Sequence, residues 1–113
     1  MDKRILKKLR SGLMLSMLAT TAFTFTQNVS AKDLTANYTL ISDETENLVV
    51  KSGSNITIDL NGHNLTTTNI DAITVELGAT VTIKGDGVVE ARGGTNNASL
   101  YNNGKTTIEG GTF

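Results

Sequence analysis

The chain of 113 residues contains no cysteine, no proline and no tryptophan, and it has a single histidine. Without cysteine there is no disulfide to staple a small exported domain, and no thiol to carry a lipoprotein anchor. Stability has to come instead from a hydrogen-bonded ladder and a thin apolar core. The lone His63 cannot build a metal site by itself, and no serine or cysteine partner pattern accompanies it. Catalysis needs a partnered geometry, so His63 reads as a turn or surface residue. Beyond the leading segment the chain also lacks any helical period. What it has in quantity is glycine, eleven in all, with abundant Asn and Thr, a composition of turns and strands.

The opening sorts into three regions. Lys3, Arg4, Lys7, Lys8 and Arg10 make a basic start. Gly12–Phe25 (GLMLSMLATTAFTF) is apolar or small and uncharged, and Val29, Ser30 and Ala31 supply the small residues of a peptidase site. That order is the pattern of a cleaved signal peptide, here residues 1–31. A membrane anchor is the rival, but a spanning helix needs roughly 20 predominantly apolar residues, and this run is shorter and diluted by Thr20, Thr21 and Thr24. The expected location is therefore secreted, extracellular or at the cell surface, with membrane contact only through the signal peptide. From Lys32 onward the chain keeps five basic and ten acidic residues, a net charge of −5. An acidic, aromatic-poor module neutralises no phosphates, which argues against nucleic acid as a partner.

Alternation rules the remainder. In Asn55–Asn61, Ile56, Ile58 and Leu60 share one face while Thr57 and Asp59 take the other. Ala72–Glu76 and Thr80–Lys84 behave alike, the signal of half-buried strands. Asn61-Gly62, Asp86-Gly87 and Asn103-Gly104 punctuate them, pairs that tolerate positive φ.

An internal repeat lies over this pattern. The constant shift that brings Leu48 onto Ile73 also brings Val50 onto Val75, Gly53 onto Gly78, Ile56 onto Val81, Thr57 onto Thr82, Ile58 onto Ile83 and Gly62 onto Gly87. A second shift of the same size carries Val75 to Leu100, Thr82 to Thr107, Ile83 to Ile108 and Gly85 to Gly110. Val81 then falls on Thr106, and a slip by one position would align Gly78 with Gly104. A unit of that length with Gly and Asn corners reads as one coil of three short strands, which buries its inner face only by stacking on its neighbours. A small antiparallel sandwich or a set of hairpins is the alternative, but hairpins do not require the same residue types to recur at this interval.

The run NITIDLNGHNLT over Asn55–Thr66, followed by AITVELGATVTIKG over Ala72–Gly85 and NNGKTTIEGGTF over Asn102–Phe113, resembles the right-handed parallel β-helix repeat proteins, secreted and surface proteins of Gram-positive and gut bacteria. The likeness covers nearly all of Tyr38–Phe113. It implies a repeat array outside the cell, often part of an adhesin-like or glycan-associated protein. Members are usually longer, with a wall-anchoring sequence. This chain stops at Phe113 within what the repeat would make another coil, so a fragment of a longer surface protein without independent function is kept as an alternative.

β-helix polysaccharide lyases are similar in architecture, and that resemblance implies an acidic cluster for calcium with a basic residue as proton acceptor. Asp59, Asp71, Asp86 and Glu90 would have to gather on one face, with Arg92 as the one arginine beyond the leader. Hard-cation sites need several convergent oxygens, and Asp59 and Lys84, one repeat apart, read instead as an exposed cross-coil ion pair, as do Lys84 and Glu109. No cofactor is expected, and calcium is the one ion such acids could hold. The triplets starting at Asn37, Asn55, Asn64 and Asn97 fit the glycan-acceptor pattern but follow from an Asn- and Thr-rich composition. The Gly93–Asn97 tract reads as a loop between coils.

Thr57, Thr82 and Thr107 are the candidate ligand-facing residues. They would form an outward ladder able to hydrogen-bond sugars, although threonine also simply suits exposed strand positions. The expectation is thus an all-β fold: a short right-handed parallel β-helix, a solenoid with coils of about 25 residues, after a cleaved N-terminal signal helix. Residues 32–50 would form an opening strand or N-terminal cap and residues 51–113 the repeat module. Its core would be Ile56, Ile58, Leu60, Ile73, Val75, Val81, Ile83, Leu100 and Ile108. The expected function is non-enzymatic and adhesin-like, with glycans or surface proteins as partners and self-association through the open β-helix edge. The remnant of a β-helix lyase or hydrolase is the enzymatic alternative.

Overall fold

The computed structural model describes residues 31–113. The signal-peptide reading of residues 1–31 lies, apart from Ala31, outside the described residues. Ten strands follow in order: β1 (Ala31–Leu34), β2 (Tyr38–Thr39), β3 (Asn47–Val50), β4 (Asn55–Asp59), β5 (Leu65–Thr68), β6 (Ile73–Val75), β7 (Thr80–Lys84), β8 (Val89–Arg92), β9 (Leu100–Asn102) and β10 (Lys105–Ile108). The described residues contain no helix. The described residues are all-β, and each of their seven strand pairs is parallel.

The strands form three sheets, ordered β1-β3-β6-β9, β10-β7-β4-β2 and β5-β8. Consecutive strands fall in different sheets; each of β3 to β7 pairs with a strand that follows by about one repeat, and β1 and β2 with one that follows by less. Leu48 lies beside Ile73 and Val50 beside Val75. Ile56, Thr57 and Ile58 lie beside Val81, Thr82 and Ile83. Thr107 and Ile108 continue those last two rows.

One expected register is corrected. Val75 pairs with Asn102, and Leu100 pairs with Ile73. The loop around Gly93–Asn97 is longer than its counterpart between β5 and β6, which displaces β9, and the turn after β9 is shorter than its counterpart, which restores the register at β10. Glu76–Ala79 joins β6 to β7, whereas only Asn103 and Gly104 join β9 to β10. Ala79 therefore falls level with Gly104, since Lys105 pairs with Thr80. A Cβ on Gly104 would press into the carbonyl oxygens of Ala79 and Glu76, so this shortened corner excludes a side chain.

The inward residues stack in columns. The first runs Lys32, Leu48, Ile73, Leu100, and the second Tyr38, Ile58, Ile83, Ile108. A third runs from Glu44 through Leu65 to Val89, and the bridge between Val88 and Thr112 brings Phe113 level with Val89. Read across, the columns give a polar layer, two aliphatic layers and a final apolar layer. Leu48, Ile58, Leu65, Ile73 and Ile83 are fully buried and Val89 nearly so. Ile108 is 50% exposed and Phe113 41%, and Leu100 is only partly buried.

The core differs from expectation at that end. Ile56, Ile58, Leu60, Ile73, Val75, Val81 and Ile83 are buried, joined by Leu34, Leu40, Leu48, Val50, Leu65, Ala72, Ala79 and Val89. Leu100 and Ile108 are not fully enclosed, because no further strand of the described residues stacks on β9 or β10. Covering a side chain of this kind is worth about 1.5–3 kcal/mol, so the inner layers carry most of the hydrophobic stabilisation.

Corners are made by Asn and Gly. Asn61 and Gly62 both have positive φ, 53° and 81°, and His63 N–H closes the turn on the Leu60 carbonyl at 2.9 Å. This is hairpin-type turn geometry used to turn the chain into the next sheet, since β4 and β5 do not pair. Other Asn and Asp side chains bridge one repeat to the next by accepting a backbone N–H. Asn37 accepts from Thr57 at 2.9 Å, Asp43 from Asn64 at 2.9 Å, Asn64 from Val88 at 2.9 Å, Asn69 from Gly94 at 2.8 Å and Asp71 from Ala98 at 2.7 Å. These bonds satisfy amides that the irregular corners would otherwise leave without partners.

Candidate functional site

The outward face of the β10-β7-β4-β2 sheet carries an in-register row of polar residues. Side chains alternate across a strand, so burying Ile56 and Ile58 on β4 and Val81 and Ile83 on β7 turns Thr57 and Thr82 outward. Thr57 lies beside Thr82 and Thr82 beside Thr107, with neighbouring strands about 4.8 Å apart. Thr57 and Thr82 are half-buried and Thr107 is exposed. The three expected ladder residues therefore come together in one row.

A row of Asn55, Thr80 and Lys105 flanks the threonines on one side. Asp59 and Lys84 lie on the other, with Glu109 next along the chain from Ile108. The face thus carries hydroxyls, an amide and both signs of charge within a few side chains. The expected ion pairs across it do not form: neither Asp59 with Lys84 nor Lys84 with Glu109 makes a salt bridge. Asp59 Oδ1 instead accepts the Asn61 N–H at 2.9 Å, a local bond that needs no long side chain to be ordered.

An ion pair between neighbouring repeats does form elsewhere, at two positions that the same constant shift brings together but that the alternation pattern does not single out. Lys51 Nζ donates to Glu76 Oε2 at 2.9 Å, while Glu76 Oε1 accepts the Ser52 N–H at 2.9 Å. The hydrogen bond from Lys51, then that from Ser52, holds the Glu76 carboxyl below its ordinary range. The same bond to Glu76 raises Lys51.

The polar layer of the columns is a second cluster that the sequence pattern does not reveal. Lys32 Nζ donates to the Tyr38 hydroxyl at 2.9 Å, and that hydroxyl donates to Glu44 Oε2 at 2.5 Å. Lys32 Nζ also lies 3.5 Å from Glu46 Oε1 and 5.1 Å from the centre of the Tyr38 ring. Glu44 Oε1 is buried and accepts no hydrogen bond, with the Lys32 ammonium 3.8 Å away. Its hydrogen bond to Tyr38 raises the Lys32 ammonium. Burial, then the bond to Glu44, pushes the Tyr38 phenol up. The alternation of β1 puts Lys32 and Leu34 on one face, but only the pairing of β1 with β3 turns that face inward, and its separation is shorter than the repeat.

The remaining candidates are dispersed. His63 sits in its corner with Nδ1 3.6 Å from Asp43 Oδ1. Asp71 is committed to the Ala98 amide. Arg92 pairs with Glu90 on its own strand, Nε to Oε2 3.1 Å. Among the described residues no group of three or more His, Asp and Glu side chains is placed to hold a metal ion. No protein family, curated protein or solved structure matches the chain.

Proposed function

We propose that the chain is a non-enzymatic, secreted or cell-surface module built as a short right-handed parallel β-helix, and that it binds glycan through the Thr57, Thr82 and Thr107 face. The observation that carries this reading is the in-register threonine row. Its hydroxyls recur at the parallel-strand spacing of about 4.8 Å on a face that strand pairing holds in register. A linear polysaccharide also presents hydroxyls at regular intervals. A hydroxyl row flanked by Asn55, Lys105 and Asp59 offers donors and acceptors to them without a cleft. The solenoid reading draws support from parallel pairing between strands about one repeat apart in all three sheets. Its adhesin-like setting rests on the resemblance to surface β-helix proteins.

Co-sedimentation of the chain with insoluble cellulose, chitin and xylan tests the assignment. Binding to at least one of them, weakened about tenfold or more by Thr82→Arg with the circular dichroism unchanged, is the expected result. Binding to none of the three, or binding indifferent to substitution at Thr57, Thr82 and Thr107, would exclude it.

A further inference from the structure

The two ends of the stack are chemically unlike. At the first, Lys32, Tyr38 and Glu44 lay charges and a hydroxyl over the aliphatic layers, as inward-pointing charge blunts a sheet edge elsewhere. At the other, Ile108 and Phe113 end their columns half exposed, and β9 and β10 are edge strands among the described residues. The polar end also has shorter coils: fewer residues separate Ala31 from its partner Asn47 than separate Ile73 from Leu100. An end-to-tail stack of copies would set a small polar layer against a wide apolar one.

The free edge of β10 suits a copy of itself. The amides of Lys105 and Glu109 point back into the sheet, donating to Ala79 and Ile83 at 2.9 and 2.7 Å. Strand alternation therefore leaves the N–H and C=O groups of Thr106 and Ile108 facing out from the edge. An antiparallel pairing centred on Thr107 sets Thr106 opposite Ile108 of the second copy, in the hydrogen-bonded positions. The same register sets Lys105 opposite Glu109 of the second copy, and the reverse, in the closer non-hydrogen-bonded positions. Both side chains are exposed, share the outward face with Thr107, and make no ion pair with the described residues of their own chain. The strand is thus complementary to itself in hydrogen bonding and in charge.

We propose that the chain forms a twofold dimer by antiparallel pairing of β10 with β10 of a second copy. The interface is isologous and closes on itself, so it ends at a dimer and does not grow into a filament. It covers Ile108 and continues the threonine row across the two copies.

Sedimentation velocity on the full chain over a range of concentrations tests this, with two charge reversals that leave the core untouched. Lys105→Glu and Glu109→Lys each place like charges in both cross-strand pairs. Each alone is expected to weaken dimerisation at least about fivefold. An equimolar mixture of the two variants restores opposite charges in both pairs and is expected to recover the dimer as a heterodimer. A chain that stays monomeric would overturn the proposal. So would association that ignores either reversal, an open-ended polymer, or a mixture that fails to re-associate.

Discussion

The Tyr38 hydroxyl donates to Glu44 Oε2 at 2.5 Å while accepting from Lys32, so one phenol joins the first inward positions of all three columns. Tyr38→Phe removes both bonds and leaves the Glu44 carboxylate partly buried with no donor from the ring. The expected loss is about 1–2 kcal/mol of unfolding free energy, read by urea denaturation at neutral pH.

The same cluster sets a pH dependence. Tyr38 and Lys32 are both raised above their ordinary values of 10.0 and 10.5. The folded chain therefore holds these protons after the unfolded chain has begun to release them. Their stabilisation is full below those ordinary values and is lost as pH rises through the raised ones. Thermal midpoints should fall on the alkaline side of pH 10, and Tyr38→Phe should flatten that fall.

Ile83 and Ile108 occupy one column in adjacent layers, yet the first is fully buried and the second 50% exposed. Ile83→Ala is expected to cost about 2–5 kcal/mol, as an enclosed cavity does. Ile108→Ala should cost well under half as much when both are measured at concentrations where the chain is monomeric. Equal losses would mean that the last layer is covered in solution.

Gly104→Ala should destabilise the chain by about 1–3 kcal/mol. Its Cβ would meet the backbone carbonyls of Ala79 and Glu76, which cannot move aside as a side chain can. Chemical denaturation of the variant beside Gly53→Ala separates the crowding from backbone strain. Gly53 has φ of 86° and open space around it.

Much of this arrangement is legible in the residues, for definite reasons. The β3–β6 and β4–β7 registers follow from one constant shift that brings like residues together, and the threonine row comes with it. The β6–β9 register is hidden because an insertion and a compensating deletion fall on either side of β9. A constant shift sees neither. The pairings of β1 and β2 escape for a related reason: Tyr38 pairs with Ile58, a separation shorter than the repeat, so they share no period with the rest. Without those pairings, Lys32, Tyr38 and Glu44 have no inward assignment. The adjacency of Asp59 and Lys84 is readable, but whether they pair is not. It depends on a rotamer choice that the nearby Asn61 amide decides.

The spacing of the strand pairs also orders the assembly of the chain in time. Every strand finds its partner within about one coil, from Ala31 with Asn47 at the shortest to Ile73 with Leu100 at the longest, and none waits for a distant segment. Loop-closure entropy grows only slowly with length, so no single pairing is a marked bottleneck. A chain emerging amino end first could dock each strand on the one it follows as soon as that strand appears. The Lys32, Tyr38 and Glu44 cluster spans the shortest stretch and would be in place before the first aliphatic layer is finished. Growth by accretion of this kind leaves the most recent layer always bare, and it is the earliest end that is protected.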